Sequence, residues 1–203
     1  MRKPKNPKKI ILGITGSFGT GKSTVCQLLA TRGAKVIDAD LINYKLLQPR
    51  QPGYRKVVGF FGLRILKKNK AIDRRILGKI VFDDQRLLGR LEKMMHPLII
   101  AEIKKQISKA KSKLVAVDAP LLFETGLADL FDQVVVVRAG RKMQFSRLLE
   151  RTTFSKMDIV KRLNAQMPLS AKIRKADFVI DNSGTIAKTK KQVEDLRRNL
   201  WKS

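Results

Sequence analysis

The feature that most constrains the fold of this chain is the stretch of residues 16–24, which reads Gly-Ser-Phe-Gly-Thr-Gly-Lys-Ser-Thr. It satisfies the phosphate-loop pattern G-x-x-x-x-G-K-S/T. Its glycines permit a tight turn that points successive backbone N–H groups at phosphate oxygens, and the following helix adds its positive N-terminal end. The stretch therefore predicts a bound nucleoside triphosphate. The residues predicted to contact it are Gly16, Gly19, Thr20, Gly21, Lys22, Ser23 and Thr24.

Two side chains of this stretch have predicted roles of their own. Lys22 is placed to reach the β and γ phosphates, and the Ser23 hydroxyl is placed to ligate Mg²⁺. The apolar run 10–14 before the loop suits a buried parallel strand, and the apolar residues after it have helical spacing. Strand, loop and helix in that order is the required setting, which disfavours a glycine-rich turn with an incidental lysine.

The remaining pattern alternates between short aliphatic strands and helices. The strands are predicted at residues 10–14, 35–38, 114–118, 134–137 and 178–181. Residues 41–113 have a helical pattern without a strong strand, in which Pro97 suits the first turn of a helix. Residues 141–176 are polar, helical and basic, which is typical of a mobile lid beside a phosphate site. The chain is predicted to close with an amphipathic helix over residues 187–201.

These elements predict an α/β, three-layer P-loop NTPase fold with a central parallel sheet, a helical substrate-binding insertion and a helical lid. The chain has 203 residues, of which 43% are hydrophobic, so it is able to bury a sizeable core. We predict three regions: a nucleotide-binding core of residues 1–40, 114–140 and 177–203, a helical insertion of residues 41–113, and a lid of residues 141–176.

The charge of the chain is strongly positive, because 44 Lys plus Arg face 17 Asp plus Glu, for a formal net charge of +27. A site for ATP and a second phosphorylated substrate uses about five or six of these cations. Two explanations of the rest stay open: a nucleic-acid or membrane-surface footprint, and a basic solvated surface. The scattered distribution, without interleaved aromatic residues, favours the basic surface.

No segment has the length of a membrane span. The apolar run after the basic residues 1–9 is too short for a signal peptide. The only cysteine, Cys26, excludes an intrachain disulfide. A reducing compartment, the cytoplasm, is therefore expected. The oligomeric state is left open.

Two carboxylates follow the second predicted strand, at the edge where open parallel sheets bind ligands. Asp38 and Asp40 are expected to alternate on an extended stretch, so that only one of them reaches the reaction centre. Asp40 lies further beyond the sheet edge and is the candidate that orients an attacking hydroxyl and accepts its proton. The competing interpretation is that Asp40 is the N-cap of a helix beginning near Leu41.

Four further side chains are candidates for chemistry. Asp118 ends a strand and is placed to help hold Mg²⁺, although a turn or N-cap role before Pro120 is equally open. His96, the only histidine, is interpreted as a cap or a buried hydrogen-bonding residue. Arg147 and Arg151 share one helix face and are candidates to clamp triphosphate oxygens when the lid closes, the alternative being an exposed basic face.

A series of short segments follows in an order that is much more selective than the phosphate loop alone. The segments are residues 13–24; Val36-Ile37-Asp38-Ala39-Asp40 with Ile42; Phe60-Phe61-Gly62; Ile72-Asp73-Arg74 with Leu77-Gly78 and Ile80-Val81-Phe82; His96-Pro97; Asp118-Ala119-Pro120-Leu121-Leu122-Phe123-Glu124; Arg162-Leu163 with Gln166-Met167; and Ala176-Asp177 with Val179-Ile180-Asp181-Asn182-Ser183-Gly184. With them the chain resembles the dephospho-CoA kinase family along almost its whole length.

The resemblance implies that ATP phosphorylates the 3′-hydroxyl of the dephospho-CoA ribose, which is the last step of coenzyme A synthesis. It also implies that residues 41–113 bind dephospho-CoA and that Asp40 is the catalytic carboxylate. The other residues it implicates are Phe61, Arg74 and His96 on the acceptor side, Asn182 near the adenine of ATP, and Arg147 and Arg151 in the lid. For His96 the resemblance favours the substrate-side role.

Two other functions stay open at the level of the sequence. One is another phosphate-loop kinase, acting on a nucleoside, a nucleotide or a small hydroxy compound. The other is a basic, NTP-dependent nucleic-acid-binding protein, whose affinity would fall steeply with salt. The expected partners are dephospho-CoA and ATP with Mg²⁺, without a membrane or a nucleic acid.

Overall fold

A five-stranded sheet carries all five strands predicted from the sequence. The computed structural model describes residues 9–151 and 155–201. The strands are β1 (Ile10–Thr15), β2 (Lys35–Asp38), β3 (Leu114–Asp118), β4 (Gln133–Arg138) and β5 (Phe178–Asp181). Their order in the sheet is β2-β3-β1-β4-β5, and β1 pairs in parallel with both β3 and β4. The predicted α/β fold with a central parallel sheet is confirmed.

Helices connect most of the strands, as is usual for parallel pairing, whereas β3 and β4 are joined by a segment with one short 3₁₀ turn. The helices are α1 (Lys22–Ala30), α2 (Ala39–Leu46), α3 (Pro52–Phe61), α4 (Arg74–Phe82), α5 (Gln85–Lys109), α6 (Arg141–Arg151), α7 (Lys156–Asn164), α8 (Leu169–Arg174) and α9 (Ile186–Leu200). Short 3₁₀ turns occur at Leu63–Ile65 and Leu127–Leu130.

The chain divides into two compact units. The first unit comprises Met1–Ile37 and Ala110–Ser203, and the second unit comprises Asp38–Lys109. The residues predicted to form a lid, 141–176, are therefore grouped with the first unit. Their movement as a lid stays a prediction.

Each unit has its own hydrophobic core. In the first unit, aliphatic side chains of the sheet pack with α1 and with the closing helix α9, whose buried Val193, Leu196 and Leu200 confirm the predicted amphipathic face. In the second unit, α3 and α4 pack on the long helix α5 around buried Val57 and Met95. The second unit, Asp38–Lys109, is thus a separate cluster of helices whose bounds differ by a few residues from the predicted region of residues 41–113.

The structure corrects the expectation for the end of β2. The chain does not stay extended through Asp40, because α2 begins at Ala39 and puts Asp40 in its first turn. The N-cap is Asp38, whose Oδ1 accepts a hydrogen bond of 2.9 Å from Leu41 N. The helix begins early because this carboxylate satisfies a backbone N–H that otherwise has no partner inside the helix.

A second correction concerns His96 and Pro97. Helix α5 runs through both, so Pro97 does not open a helix and His96 is not a capping residue. An interior proline costs a helix about 3 kcal/mol. The buried side chains of Met95, Ile103 and Ile107 on the same helix offset that cost by tertiary packing.

Among the described residues, no helix combines the length and the apolar character needed to cross a membrane.

Candidate active site

The phosphate loop, residues 16–24, leaves the sheet after β1 and enters α1 at Lys22. Two of its glycines are required by the surrounding atoms. Gly16 and Gly21 have φ angles of 152° and 86°, which residues with a Cβ rarely adopt. A Cβ at Gly16 would collide with the carbonyl oxygen of Val137, and a Cβ at Gly21 would collide with Asn182 Nδ2. The loop is therefore packed closely against neighbouring strands of the same unit.

Side chains of the loop also bond within it. Lys22 Nζ donates to the Gly16 carbonyl over 3.3 Å, so the ammonium group lies across the loop. The buried Thr20 hydroxyl donates to the Ser17 carbonyl at 2.9 Å, which gives Thr20 a role in shaping the turn. Ser23 is exposed in the first turn of α1. Because helix N-termini attract anions, this arrangement suits a bound polyphosphate.

Asn182, predicted to approach the adenine, is buried and supports the loop. Its Nδ2 donates to the Thr20 carbonyl at 2.9 Å, and its Oδ1 accepts at 2.9 Å from the hydroxyl of Thr189. Both ends of the amide are thus used by protein groups. Sequence reasoning missed Thr189, which lies on α9 and fixes the orientation of this amide.

Arg147, predicted as a phosphate clamp, lies against the same loop. Its Nη2 donates to the Asn182 carbonyl at 3.0 Å. Its Nη1 is buried without a hydrogen-bond partner, and this atom lies 3.5 Å from the position of a Cβ built on Gly21. A buried cationic donor facing the loop is suited to a phosphate oxygen. Arg151 ends α6, and its side chain lies outside the described residues.

Asp118, the candidate second carboxylate, ends β3 beside the start of the loop. The parallel register sets it opposite Ile14, two residues before Gly16. The chain then turns away, with Ala119 N donating to the Ile14 carbonyl at 2.9 Å and the Thr15 hydroxyl donating to the Pro120 carbonyl at 3.0 Å. These bonds hold the end of β3 to the end of β1, where the phosphate loop begins.

The oxygen atoms available here suit a hard cation that is bound mainly by the phosphates of a ligand. The Ser23 hydroxyl and the Asp118 carboxylate are oxygen ligands of the kind that Mg²⁺ uses. Among residues 9–151 and 155–201 there is no group of three His, Cys, Asp or Glu side chains that could hold a metal. Mg²⁺ needs no such cage, since it usually binds one or two protein ligands together with substrate phosphates and water.

The acceptor-side candidates lie in the second unit. Asp40 and Tyr44 are both exposed and are four residues apart on α2, so they share a helix face. The guanidinium carbon of Arg74 lies 5.7 Å from the centroid of the Tyr44 ring, a cation–π contact. Tyr44 is thereby a further candidate, and its spacing of four residues from Asp40 is the sequence signal that identifies it.

Phe61 and His96, the other acceptor-side candidates, are less accessible. Phe61 is only 3% exposed and packs in the core of the second unit, whereas its neighbour Phe60 is 49% exposed. The two rings meet edge to face at a centroid distance of 4.9 Å. His96 is half-buried on α5. Of the two phenylalanines, Phe60 is the one that a ligand is able to reach.

Sequence reasoning also missed an ion pair of a buried lysine in the first unit. The Lys172 side chain is 0% exposed, and its Nζ lies 2.8 Å from Glu124 Oε1. The same ammonium donates to the Pro120 carbonyl at 2.7 Å, and Glu124 accepts from Met167 N at 2.9 Å. Glu124 belongs to a segment that carries the family resemblance, but the single sequence contains no signal for its partner.

Comparisons with known proteins identify the family. A model of the dephospho-CoA kinase family matches residues 10–188. A dephospho-CoA kinase of Carboxydothermus hydrogenoformans is 41% identical over 196 residues, which cover 95% of each chain. One of Lactobacillus johnsonii is 39% identical over 192 residues, which cover 93% of this chain and 97% of the relative.

Solved structures agree. A dephospho-CoA kinase from Campylobacter jejuni is 32% identical with a TM-score of 0.68, and the likeness covers 95% of this chain and 97% of that one. A shikimate kinase from Acinetobacter baumannii shares the fold, with a TM-score of 0.52 at 13% identity over 96% of this chain and 94% of that one. On the family match and these full-length similarities, the chain belongs to the dephospho-CoA kinase family.

Proposed function

We propose that this chain is an ATP-dependent kinase that phosphorylates the 3′-hydroxyl of dephospho-CoA to give coenzyme A. The observation that carries the proposal is the family match over residues 10–188, which spans the phosphate loop and the whole second unit. A phosphate loop alone is compatible with many reactions of nucleoside triphosphates. The extension of the match through the second unit supports dephospho-CoA as the acceptor.

The donor half of the reaction belongs to the first unit. The loop N–H groups and the N-terminus of α1 bind the phosphates of ATP, and Lys22 binds oxygens of the β and γ phosphates as charge shifts between them. Arg147 adds a second cation, which its buried, unpartnered Nη1 beside Gly21 supports. Arg151 is proposed for the same clamp. The hydrogen bonds of Asn182 to the loop support a further role for it in holding ATP.

Ser23 and Asp118 are the residues that we propose to hold Mg²⁺. When bound, Mg²⁺ supplies positive charge that neutralises the phosphate oxygens during transfer. Ser23 contributes its hydroxyl from the first turn of α1, and Asp118 contributes its carboxylate from the end of β3. The role of Asp118 is supported by the register of β3 with β1, which puts this residue beside the start of the phosphate loop.

The acceptor half belongs to the second unit. Asp40 orients the 3′-hydroxyl of the ribose and accepts its proton as the oxygen attacks the γ phosphorus of ATP. The bond from that phosphorus to the β,γ-bridging oxygen breaks, and ADP leaves with the electron pair. Arg74 and His96 bind the acceptor, with Arg74 held over the Tyr44 ring. Phe61 supports this region from within the core, next to the accessible Phe60.

We also propose the cytoplasm as the compartment of this enzyme. Cys26, the only cysteine of the chain, is buried and has no second cysteine with which to form an intrachain disulfide. A chain without disulfides is typical of proteins in a reducing compartment.

A product assay tests the activity. The purified chain is mixed with ATP, Mg²⁺ and dephospho-CoA, and the products are separated and weighed by mass spectrometry. We expect equal amounts of ADP and coenzyme A, with the new phosphate on the 3′-oxygen. Parallel reactions contain adenosine, AMP or shikimate in place of dephospho-CoA. Phosphorylation of one of these acceptors without coenzyme A formation would show that the family fold serves another substrate here.

A further inference from the structure

Two glutamines of the predicted lid, residues 141–176, form hydrogen bonds with the backbone of Phe18, the residue at the tip of the phosphate loop. Gln166 Oε1 accepts a hydrogen bond of 2.9 Å from Phe18 N, and Gln144 Nε2 donates one of 3.2 Å to the Phe18 carbonyl. The glutamines come from different elements, since Gln144 lies on α6 and Gln166 lies between α7 and α8. Both polar groups of the Phe18 backbone are therefore bonded to side chains from this segment.

The side chains around these two hydrogen bonds are closely packed. Gln144 is buried, with 6% of its surface exposed. A Cβ built on Gly19, the next residue of the loop, would lie 2.8 Å from Leu148 Cγ and 3.2 Å from the Gln144 carbonyl oxygen. Helix α6 thus rests directly on the tip of the loop. The contact joins residues 126 and 148 positions apart in the chain.

The chemistry of the two bonds differs in a way that defines each side chain. A backbone N–H is satisfied only by an acceptor, so Gln166 must present its oxygen; a carbonyl is satisfied only by a donor, so Gln144 must present its nitrogen. The Phe18 N–H points at Gln166 and is not available to a phosphate. The bonds consequently hold the Phe18 peptide at the tip of the loop in one conformation.

We infer that Gln144 and Gln166 are positioning residues for ATP, which act by holding the Phe18 peptide of the phosphate loop. They preorganise the loop before the nucleotide binds, so the cost of ordering it is not subtracted from the binding energy. They also make the affinity for ATP depend on the contact between residues 141–176 and the phosphate loop. The inference deepens the proposed kinase activity and rests on it for the identity of the donor.

Glutamate substitutions at the two positions test the inference, because the same added charge has opposite effects on the two hydrogen bonds. Gln166→Glu keeps an acceptor for Phe18 N, whereas Gln144→Glu replaces the donor with an oxygen that faces the Phe18 carbonyl. Both variants add one negative charge beside the loop. We expect Gln144→Glu to bind ATP about tenfold more weakly than Gln166→Glu.

Methionine substitutions provide the neutral comparison. Gln144→Met and Gln166→Met keep the length of the side chain and remove the hydrogen bond, so each is expected to raise the Kd for ATP about fivefold. Gln106→Met is the matched control: Gln106 on α5 also has a side-chain hydrogen bond, to Glu102, but lies in the second unit. Its Kd for ATP is expected to equal that of the unmodified chain.

Three readouts separate positioning from a general loss of structure. The Kd for Mg·ATP is measured by calorimetry without dephospho-CoA, so it remains informative even where no coenzyme A forms. In the kinase assay, KM for ATP is expected to rise while KM for dephospho-CoA stays within twofold. The loss of ATP affinity in Gln166→Glu is a charge effect, so it is expected to shrink when the salt is raised from about 0.05 M to about 0.5 M. The tenfold difference in Kd between Gln144→Glu and Gln166→Glu is expected to remain largely unchanged, because it comes from the hydrogen bond.

Two results would overturn the inference. One is equal ATP affinity in Gln144→Glu and Gln166→Glu. The other is a Gln166→Met variant that is indistinguishable from the unmodified chain while it melts at the same temperature. Gln166 is half-buried and lies in the turn between α7 and α8, so its substitution disturbs the fold less than that of the buried Gln144. The Gln166 variants therefore test the inference even if the Gln144 variants fail to fold.

Discussion

Asp38 and Asp40 show how much position matters at the scale of single residues. The Asp38 carboxylate accepts from Leu41 N and starts α2, whereas Asp40 lies in the first turn of the same helix. Both residues are exposed, so they differ in the part that the carboxylate plays in the helix and not in accessibility.

This difference leads to a paired prediction. Asp40→Asn removes the proposed proton acceptor, so kcat is expected to fall by about 100-fold or more. The Kd for ATP is expected to change by less than about twofold, since Asp40 is not proposed to touch the donor. Asp38→Asn is the control: asparagine is as good an N-cap as aspartate, so near-normal kcat is expected. Equal loss of kcat in both variants would remove Asp40 from the catalytic role.

Lys22 belongs to the donor site and predicts the opposite kinetic pattern. Lys22→Ala removes a charge-assisted contact to the phosphates, so the Kd for ATP is expected to rise by about tenfold to a hundredfold. KM for dephospho-CoA is expected to stay near its original value. Lys190→Ala, on the exposed face of α9, is the matched control for the loss of one positive charge. Calorimetric titration with Mg·ATP is the measurement, and unchanged affinity of Lys22→Ala would contradict the assignment.

At the scale of elements, the ion pair between the buried Lys172 and Glu124 connects α8 to the segment after β3. Lys172→Met leaves the Glu124 carboxylate without its cation and the Pro120 carbonyl without its donor. We expect the free energy of unfolding to fall by about 2 kcal/mol, mainly because a buried hydrogen bond from a charged group is lost. The double variant Lys172→Met with Glu124→Gln is expected to recover part of this loss, because the uncompensated charge is gone. Urea unfolding of the four chains gives the coupling, and additive effects would refute it.

Helix α4 gives a prediction about pH. The Asp73 carboxylate is its N-cap and accepts from Arg75 N at 2.9 Å and from Ile76 N at 3.3 Å. These backbone hydrogen bonds, the one from Arg75 first, hold the pKa of Asp73 below its ordinary value of 3.8. A pKa that is lower in the folded chain means that the ionised carboxylate stabilises the fold. This contribution is complete above pH 3.8 and is lost as the pH falls through the lower folded pKa.

Asp73→Ala removes the cap, so its melting temperature at about pH 7 is expected to lie below that of the unmodified chain. The gap between the two melting temperatures is expected to narrow as the pH falls below 3.8 and through the lower folded pKa of Asp73, where the carboxylate becomes protonated. Asp83→Ala, at the other end of α4, is the matched control for the loss of one negative charge. Calorimetric melting curves over this range are the measurement. A gap that stays constant with pH would show that the charge of Asp73 does not stabilise α4.

At the scale of the whole molecule, the net charge of +27 acts on every anionic ligand. Both proposed substrates carry negative phosphates, so the field of the chain speeds their encounter. We expect kcat/KM for both to fall about tenfold between about 0.05 M and about 0.5 M KCl, with kcat nearly constant. Initial rates at subsaturating substrate are the measurement. A flat salt dependence would mean that the surplus charge does not act on the reaction.

The sequence by itself determined the strands, the phosphate loop and the family. Residues 35–38, 114–118 and 178–181 form strands with the predicted bounds, because short aliphatic runs between turn signals are local patterns. The phosphate loop was readable for the same reason, since its glycines and its lysine meet a need of the backbone within a few residues. The order of the family segments then identified the whole chain.

Only the tertiary structure decided which side chains meet. Helix α5 continues through Pro97 because packing outweighs the local cost of proline. Phe60 and Phe61 are adjacent and chemically identical, and the core of the second unit buries only one of them. Gln144 and Gln166 reach Phe18 across more than a hundred residues of chain. No periodicity records such contacts, because they depend on which elements the fold brings together.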